Sequence, residues 1–420
     1  MRFQTLNQWL SWQETLHPSE IELGLTRVQQ VFQRLQPISP SFKIITVGGT
    51  NGKGSSVAML EAIYLAAGYK VGSYTSPHLL RYNERIHLNG EEVSDLELVQ
   101  AFARVDEART DISLTYFEFG TLAALDIFYR QQPDIVILEI GLGGRLDAVN
   151  ILDADVSLVT NIALDHTDWL GDDREQVAFE KAGIYRHARP AIFNETDVPK
   201  SLLQHAEEIG AELLVAGRDY HCNSEANQWS FSGPHASYFA LPEPVLVGDF
   251  QRHNACGCLM AVSSLNQDLP VAVSHIRAGL LAASNPGRMQ IIIGEPVQIL
   301  DVAHNPHAAA VLAETLQQQP AIGRTLAVVA MLRDKDQRGV IEQLLSQVDA
   351  WYVAGLNVPR GGHAEELYNI IHELEAQAPC EQYETVAKAY AAAYNDSGPN
   401  DRLLVFGSFY TVADVLALQG

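Results

Sequence analysis

Short apolar segments alternate with longer amphipathic segments along most of the 420-residue sequence. The apolar segments have a nearly continuous apolar character, which is typical of strands that are covered on both faces. Residues 55–67 form an amphipathic stretch that predicts a helix. The strands predicted in this first series are KIITVGG (43–49), KVGSYTS (70–76), DIVILEI (134–140) and DVSLVTNI (155–162). The alternation predicts βαβ units and a mostly parallel sheet.

A second series of alternating segments follows an Asn-Pro-Gly turn at residues 285–287. Its predicted strands are VQILDVA (297–303), TLAVVAM (325–331), DAWYVAG (349–355) and RLLVFGS (402–408). We therefore predict an α/β chain with a larger domain over residues 1–284, a linker over 285–290 and a smaller Rossmann-like domain over 291–420. A glycine-rich segment at 48–55, between the first strand and the helix, predicts that the N-terminal domain is P-loop ATPase-like. Residues 186–250 are expected to add antiparallel strands, including NQWSFS (227–232).

The charge of the chain limits the ligands that it can hold. Fifty-one acidic and 28 basic residues give a net charge of −23, which argues against general nucleic-acid binding. An anionic ligand must therefore be held by local features such as a phosphate loop, a metal ion or a few arginines.

The sequence also indicates a compartment. No apolar stretch is long enough for a transmembrane helix, and the first residues do not resemble a secretory signal. The cysteines are too few and too scattered for a disulfide framework, so we predict reduced thiols and a cytoplasmic location. They are Cys222, Cys256, Cys258 and Cys380.

A glycine-rich loop, Gly48-Gly-Thr-Asn-Gly-Lys-Gly-Ser55, connects the first predicted strand to a helix. In this context backbone N–H groups and the helix N-terminus can surround phosphate oxygens, and Lys53 can neutralise the outer phosphates. The match to the standard P-loop is imperfect, because Val47 and Gly54 stand where glycine and serine or threonine are expected. The alternative is an ordinary glycine-rich turn.

Acidic and histidine side chains lie at the ends of two later predicted strands. Glu139 lies near the end of DIVILEI, and Asp165 and His166 follow DVSLVTNI, so all three are expected at the carboxyl edge of the sheet, where ligands bind. Carboxylate oxygens suit Mg²⁺, and a neutral imidazole can bind metal. The alternative for Glu139 is a salt-bridged core residue.

Two further segments contain polar residues whose roles the strand and helix pattern does not decide. The turn Gly141-Leu-Gly-Gly-Arg-Leu-Asp147 lets a ligand ring lie against backbone, with Arg145 and Asp147 as polar anchors. Lys181, in FEKAGI, is predicted to start a helical segment, and its surroundings in the sequence indicate a solvated surface charge.

These segments together resemble the folylpolyglutamate synthase family of the Mur ligase superfamily. The matching stretches are GTNGKGS (49–55), YTSPHLLRYNERI (74–86), SLTYFEFGTLAALDIF (113–128), ILEIGLGGRLDAVNI (137–151), ALDHTDWLG (163–171), EKAGI (180–184), NPGRMQ (285–290), DVAHNPHA (301–308), MLRDKD (331–336) and FGSFYTV (406–412). They occur in order along nearly the whole chain. GTNGKG alone is shared with the wider superfamily, whereas the other stretches are more specific.

The resemblance implies roles for individual residues. It implies that ATP is bound by Thr50, Asn51, Gly52, Lys53, Gly54, Ser55, Asn254, Arg288 and Asp301. It implies that Mg²⁺, in two sites, is bound by Ser76, Glu139, His166 and Lys181. In this family the matching lysine is carbamylated, which would replace the surface role of Lys181. Catalytic roles fall to Lys53, Lys181 and His304.

The resemblance also implies a dihydropteroate site. Its residues are Thr115, Tyr116, Phe117, Glu118, Leu146, Asp147 and Ala148. Aromatic rings can stack on a flat pterin, and a carboxylate can accept hydrogen bonds from its N–H groups. The alternative for Phe117 and Phe119 is core packing, which we expect for one of them.

The reaction implied by the resemblance joins L-glutamate to a folate-type carboxylate with ATP as co-substrate. An acyl phosphate forms first, and the glutamate amine then attacks it. The acceptors are 7,8-dihydropteroate and the γ-carboxylate of tetrahydrofolates, and the nucleotide is expected between the two domains. A monomer that binds neither nucleic acid nor membranes is implied. The alternatives are a Mur-type amino acid ligase, a folylpolyglutamate synthase without the dihydrofolate synthase activity, and a non-catalytic nucleotide-binding module.

Overall fold

The computed structural model describes residues 2–36, 38–225, 228–374 and 377–419. The chain divides into two compact units. The N-terminal unit comprises residues 1–245 and 251–284, and the C-terminal unit comprises residues 246–250 and 285–420. The linker over residues 285–290 stays a prediction.

A mostly parallel sheet forms the centre of the N-terminal unit. Its strands are β1 (Lys43–Gly48), β2 (Val71–Tyr74), β3 (Ile86–Leu88), β4 (Glu91–Glu92), β5 (Ile135–Glu139), β6 (Val156–Val159), β7 (Pro190–Phe193) and β8 (Glu212–Val215). In the described chain they lie in the order β4-β3-β2-β5-β1-β6-β7-β8, with β3 and β4 antiparallel to their neighbours. Every residue of β5 and β6 is buried, which explains why these segments lack a polar face.

Helices cover the faces of this sheet. They are α1 (Leu6–Gln13), α2 (Thr26–Leu35), α3 (Lys53–Ala66), α4 (Asp95–Arg109), α5 (Tyr116–Gln131), α6 (Thr167–Leu170), α7 (Arg174–Ala182), α8 (Lys200–Ile209), α9 (Asp249–Ser264) and α10 (Val273–Ala282). Helices α3 and α10 pack closely, because a Cβ atom on Gly279 would lie only 2.5 Å from the Cα atom of Ile63. The helix predicted over residues 55–67 is present as α3, which begins two residues earlier and ends one residue earlier than predicted.

A small antiparallel sheet belongs to the same unit. Its order is β11-β10-β9, formed by β9 (His221–Glu225), β10 (Gln228–Ser232) and β11 (Ser237–Leu241). The antiparallel strand predicted at residues 227–232 is thus present over 228–232, while Asn227 lies outside the described residues.

The prediction of four reduced thiols is wrong for two of the cysteines. Cys222 in β9 and Cys256 in α9 form a disulfide, with their Cα atoms 6.1 Å apart. The two residues are 34 positions apart in the sequence, so only the packing of α9 against the small sheet brings them together. Cys258 and Cys380 are free thiols.

The C-terminal unit has its own sheet, with the order β12-β13-β17-β14-β15-β16 in the described chain. Its strands are β12 (Gln290–Ile292), β13 (Val297–Leu300), β14 (Thr325–Val329), β15 (Ala350–Ala354), β16 (Cys380–Tyr383) and β17 (Arg402–Phe406). Its helices are α11 (Pro306–Gln318), α12 (Gln337–Leu344), α13 (Ala364–Glu373), α14 (Val386–Asp396) and α15 (Phe409–Ala417). All pairs are parallel except β12 with β13.

The architecture confirms the predicted α/β class. Each strand predicted from an apolar segment is present, although the structure shortens it by one to three residues at an end. No helix in the described part of the chain has both the length and the apolar character needed to cross a membrane.

Candidate active site

The glycine-rich loop follows β1 and precedes α3. Gly49 and Gly52 have φ angles of 136° and 81°, a backbone conformation that favours glycine. A Cβ atom on Gly49 would also collide with the Thr160 hydroxyl. The loop thus depends on glycine for its conformation and for its close approach to the residues after β6.

Hydrogen bonds attach this loop to the segment that follows β6. The Thr50 backbone N–H donates to the Asn161 carbonyl oxygen (3.0 Å), and the Asn51 N–H donates to the Asn161 side-chain oxygen (2.9 Å). The Thr50 hydroxyl donates to the Ala163 carbonyl oxygen at 3.0 Å. Position 161 therefore fixes the loop, and the sequence analysis missed this residue because nothing in its local pattern marks it.

Two lysines meet at one carbonyl group of the loop. Lys53, the first residue of α3, donates through Nζ to the Gly49 and Thr50 carbonyl oxygens, both at 3.0 Å. Lys181 donates through Nζ to the same Gly49 oxygen at 2.8 Å. Gly54 and Ser55 continue the first turn of α3, where helix N–H groups favour an anion.

The prediction that Lys181 is a solvated surface charge at a helix start is wrong. Lys181 is 4% exposed and lies near the C-terminus of α7. Burial and the neighbouring charge of Lys53 lower the pKa of the Lys181 ammonium to about 7, although Asp165 and Asp147 oppose the shift. Lys181 is therefore partly a neutral amine near neutral pH.

Glu139 lies at the carboxyl end of β5, beside β1. It is 5% exposed and pairs in register with Val47. Its Oε2 accepts a hydrogen bond from the Ser76 backbone N–H at 3.1 Å, so two of the predicted metal ligands are neighbours. His166 has a φ angle of 51°, and its N–H donates to the Asp165 carboxylate at 2.8 Å.

The predicted metal ligands differ in their suitability for Mg²⁺. Within the described residues, no group of three or more His, Cys, Asp or Glu side chains is arranged to hold a metal ion. The Ser76 hydroxyl and the Glu139 carboxylate provide oxygen, which Mg²⁺ prefers. An amine on Lys181 does not, but a carbamate would add a carboxylate at that position. Ser76 and Glu139 therefore suit Mg²⁺, whereas an unmodified Lys181 does not.

Asp147 organises the glycine-rich turn after β5. Its carboxylate accepts hydrogen bonds from the backbone N–H groups of Leu142 (2.7 Å) and Val149 (2.9 Å). Burial raises the pKa of the Asp147 carboxyl to about 7, although those hydrogen bonds and the charge of Lys53 act in the opposite direction. Leu146 precedes it, and Ala148 begins a buried 3₁₀ turn.

The segment from Thr115 to Glu118 starts helix α5. Thr115 and Glu118 form a reciprocal capping box, and Glu118 also accepts a hydrogen bond from Arg27 at 3.0 Å. The Glu118 carboxylate therefore already stabilises the helix start. Tyr116 faces the Arg85 guanidinium, whose central carbon is 5.7 Å from its ring centroid.

Phe117 and Phe119 have different environments, as expected. Phe119 is fully buried among aromatic core residues, whereas Phe117 is only partly buried. The Phe117 ring lies against Gly141, where a Cβ atom would come within 2.5 Å of it, and it stacks on Tyr74. An aromatic face thus adjoins the glycine-rich turn.

A segment that the sequence analysis missed also reaches this turn. The Gly24 backbone N–H donates to the Leu146 carbonyl oxygen at 3.2 Å. Gly24 has a φ angle of 156° and lies just before α2, which also supplies Arg27 to Glu118. In the sequence, a glycine shortly before a helix that starts with a basic residue is too common to indicate a site. Only the fold places this segment beside the glycine-rich turn.

Asn254 lies in α9 beside the phosphate loop. A Cβ atom on Gly52 would lie 2.6 Å from the Asn254 side-chain oxygen, so the amide packs directly on the loop backbone. The Asn254 side chain is 4% exposed, and its Nδ2 donates to Gln251 at 3.1 Å.

The C-terminal unit brings its own three predicted residues together. Asp301 accepts hydrogen bonds from the backbone N–H groups of Met289 (2.8 Å) and Ala303 (2.7 Å), while burial raises the pKa of its carboxyl and the charge of Arg288 lowers it. The Arg288 guanidinium lies 4.5 Å from the Phe409 ring centroid, and the His304 ring lies 6.4 Å from the same centroid. One aromatic ring therefore adjoins both basic side chains.

Comparison with known proteins identifies the family. The Mur ligase middle domain matches residues 47–262, and the Mur ligase glutamate ligase domain matches residues 287–409. The dihydrofolate synthase/folylpolyglutamate synthase of Escherichia coli K12 is 47% identical over 411 residues, which cover 98% of this chain and 94% of that protein.

Solved structures agree with the sequence comparison. E. coli FolC in complex with DHPP and ADP has a TM-score of 0.94 and 47% identity, covering 99% of this chain and 98% of that chain. A bifunctional folylpolyglutamate synthase/dihydrofolate synthase with Mn, AMPPNP and L-glutamate bound has a TM-score of 0.91 and 46% identity, with coverage of 99% and 98%. The chain therefore belongs to the bifunctional dihydrofolate synthase/folylpolyglutamate synthase family of the Mur ligases, and it is an ATP-dependent ligase.

Proposed function

We propose that this chain uses Mg-ATP to join L-glutamate to 7,8-dihydropteroate and to the γ-carboxylate of tetrahydrofolates. The observation that supports this most strongly is the position of Lys53. Its Nζ donates to the Gly49 carbonyl oxygen of the phosphate loop, to which the Lys181 Nζ also donates. Both side chains would thus lie beside the phosphates of a nucleotide bound at the loop.

A carboxylate must be activated before an amine can displace one of its oxygens. In the proposed reaction a carboxylate oxygen attacks the γ-phosphorus of ATP, the bond to the β,γ-bridging oxygen breaks, and ADP leaves. Phosphoryl transfer depends mainly on positioning and on charge stabilisation. Lys53 and the N-terminus of α3 supply fixed positive charge at the loop, which favours the transferred group.

The second step forms the amide. The glutamate amine attacks the acyl carbon, the bond to the phosphate oxygen breaks, and the amine loses a proton as phosphate leaves. Asp301, Arg288 and His304 lie close together in the C-terminal unit, which matches the Mur ligase glutamate ligase domain. We assign the nucleotide to Arg288 and Asp301, and a catalytic role to His304.

Two divalent cations would be held by Ser76, Glu139, His166 and a carbamylated Lys181. When bound, such cations would supply positive charge that neutralises the phosphate oxygens. Carbamylation joins the neutral Lys181 nitrogen to the carbon of CO₂ and releases one proton. The lowered pKa of Lys181 supports this modification, because only the neutral amine is a nucleophile. A carbamate would also place a negative charge beside Lys53.

The dihydropteroate site is assigned to residues 115–118 and 146–148. The partly buried Phe117 ring beside Gly141 offers a face for the flat pterin. The Asp147 carboxylate, when ionised, accepts hydrogen bonds from pterin N–H groups. We keep the monomeric state and the cytoplasmic location as predictions, and a disulfide that persists in cells would argue against the latter.

Replacing the loop lysine or the strand-end glutamate is expected to abolish ligation. Lys53→Ala and Glu139→Gln should each lower kcat/KM for ATP by at least about 100-fold, because the first removes a positive charge beside the phosphates and the second removes the charged ligand of a divalent cation. The measurement is glutamate-dependent phosphate release with dihydropteroate or tetrahydrofolate. The exposed residues Lys388 and Glu207 provide matched controls, Lys388→Ala and Glu207→Gln. An active Glu139→Gln enzyme contradicts the metal assignment.

Lys181 is expected to take up CO₂. Nuclear magnetic resonance of the protein in isotope-labelled bicarbonate should show one carbamate signal, which Lys181→Arg removes because a guanidinium does not form a carbamate. Lys181→Arg should also lower ligation by at least about 100-fold. A labelled signal that persists in Lys181→Arg, or full ligation by that variant, refutes the modification.

Asp147 is expected to make dihydropteroate use depend on pH. Its pKa is raised to about 7, so the accepting carboxylate form is lost as pH falls below that value and gained as pH rises. The kcat/KM for dihydropteroate should therefore increase through about pH 7, and Asp147→Asn should remove this step and raise KM about tenfold. The exposed Asp153 supplies the control Asp153→Asn. An unchanged profile in Asp147→Asn excludes Asp147 from the pterin site.

A further inference from the structure

Gln251 is a fully buried side chain between the phosphate loop and Asn254. Its Nε2 donates to the Ser55 hydroxyl oxygen at 3.3 Å, and its Oε1 accepts from Asn254 Nδ2 at 3.1 Å. Its exposed fraction is 0%, so water does not compete for either hydrogen bond. One amide group therefore connects the first turn of α3 to the asparagine that packs on Gly52.

Helix α9 holds Gln251 in a fixed place by contacts that do not involve the phosphate loop. Asn194, directly after β7, donates to the His253 carbonyl oxygen at 2.9 Å and accepts from the Tyr220 hydroxyl at 2.8 Å. The Asn194 amide lies so close to α9 that a Cβ atom on Gly257 would come within 2.8 Å of it. The disulfide between Cys256 and Cys222 adds a covalent attachment to the small sheet.

We propose that Gln251 is a positioning residue for the nucleotide, which acts through Ser55 and Asn254 and does not touch the phosphates itself. This inference rests on the proposed function, because it assumes that both partners contact Mg-ATP. Anchored by α9, Gln251 sets the orientation of the Ser55 hydroxyl and of the Asn254 amide together. The loop and the asparagine then face the nucleotide in one arrangement before it binds.

The chemistry of an amide suits this task. Gln251 donates and accepts at the same time, and it does not titrate. Since Ser55 Oγ accepts from Gln251, the proton of that hydroxyl must point elsewhere. A methionine of similar length would leave the buried Asn254 N–H without this acceptor and Ser55 without this donor, so both groups would lose their fixed orientation.

A double-mutant cycle between Gln251 and Ser55 tests the proposal. Gln251→Met and Ser55→Ala should each raise KM for ATP about 10- to 100-fold, with KM for dihydropteroate unchanged within about twofold. The KM for ATP of the double variant should lie within about twofold of the higher of the two single-variant values. The reason is that both substitutions disrupt the same connected arrangement. Binding of Mg-ADP, measured by calorimetry, should weaken in parallel.

The control is Gln13→Met, which changes another buried glutamine, located in α1. Its effect on KM for ATP should be small, and it should combine with Ser55→Ala by simple multiplication of the separate effects. If Gln251→Met does not fold, Gln251→Leu replaces it in the cycle, because it is smaller and also removes both the donor to Ser55 and the acceptor for Asn254.

Three results would overturn the proposal, two of which concern the KM for ATP. One is an unchanged KM for ATP in the Gln251 variants, and the other is independent, multiplying effects of Gln251 and Ser55. Failure of the proposed function would look different, because the wild-type chain itself would then release no phosphate with glutamate and dihydropteroate. A loss of kcat for all substrates with unchanged KM values would indicate a structural role for Gln251 and would also contradict the inference.

Discussion

The contact on which the site depends is the convergence of the buried Lys181 and the partly buried Lys53 on the Gly49 carbonyl oxygen. Burial and the like charge of Lys53 both disfavour the charged form of Lys181, and the lowered pKa of Lys181 expresses that cost. A bound anion or a carbamate on Lys181 would relieve it. The arrangement is therefore suited to the charged ligands of the reaction, and the surrounding loop contacts hold it in place.

A chain with a net charge of −23 needs such local devices to hold ATP. At one edge of the sheet, positively charged groups and carboxylates lie in separate places. Positive charge from Lys53 and from the start of α3 lies at the phosphate loop, while Glu139 and Asp147 lie in the neighbouring strand end and turn. Backbone N–H groups donate to both carboxylates, from Ser76 to Glu139 and from Leu142 to Asp147. These hydrogen bonds help to fix both carboxylates at the site.

The sheet strands and the phosphate loop were predictable from sequence because their signals are local. A run of apolar residues such as DIVILEI fits a strand that is buried on both faces, and glycine at positions 49 and 52 meets a backbone requirement. The capping box of Thr115 and Glu118 also has a local sequence signature, but the sequence analysis assigned these residues only to the dihydropteroate site. Glu118 therefore combines a structural task with its proposed place beside the pterin.

Other features depend on residues that are distant in sequence. Burial of Lys181 follows from the packing of α7 against the loop, which FEKAGI alone does not reveal. The Cys222–Cys256 pair follows from the position of α9 on the small sheet. Gln251 sits only three residues before Asn254, yet its partner Ser55 is 196 positions away. The roles of Ser76, His166 and the carbamylated Lys181 came from the family resemblance and stay predictions.

The measurement that tests the central claim most directly is phosphate release from Mg-ATP by the wild-type chain, with each substrate omitted in turn. The claim is that the loop, the two lysines and the Asp147 turn together activate a folate-type carboxylate for attack by glutamate. Steady release that requires both glutamate and dihydropteroate, with one amide product per phosphate, is the predicted result. The account would be contradicted if phosphate release stayed the same when glutamate or dihydropteroate is omitted, or if the amide formed without ATP.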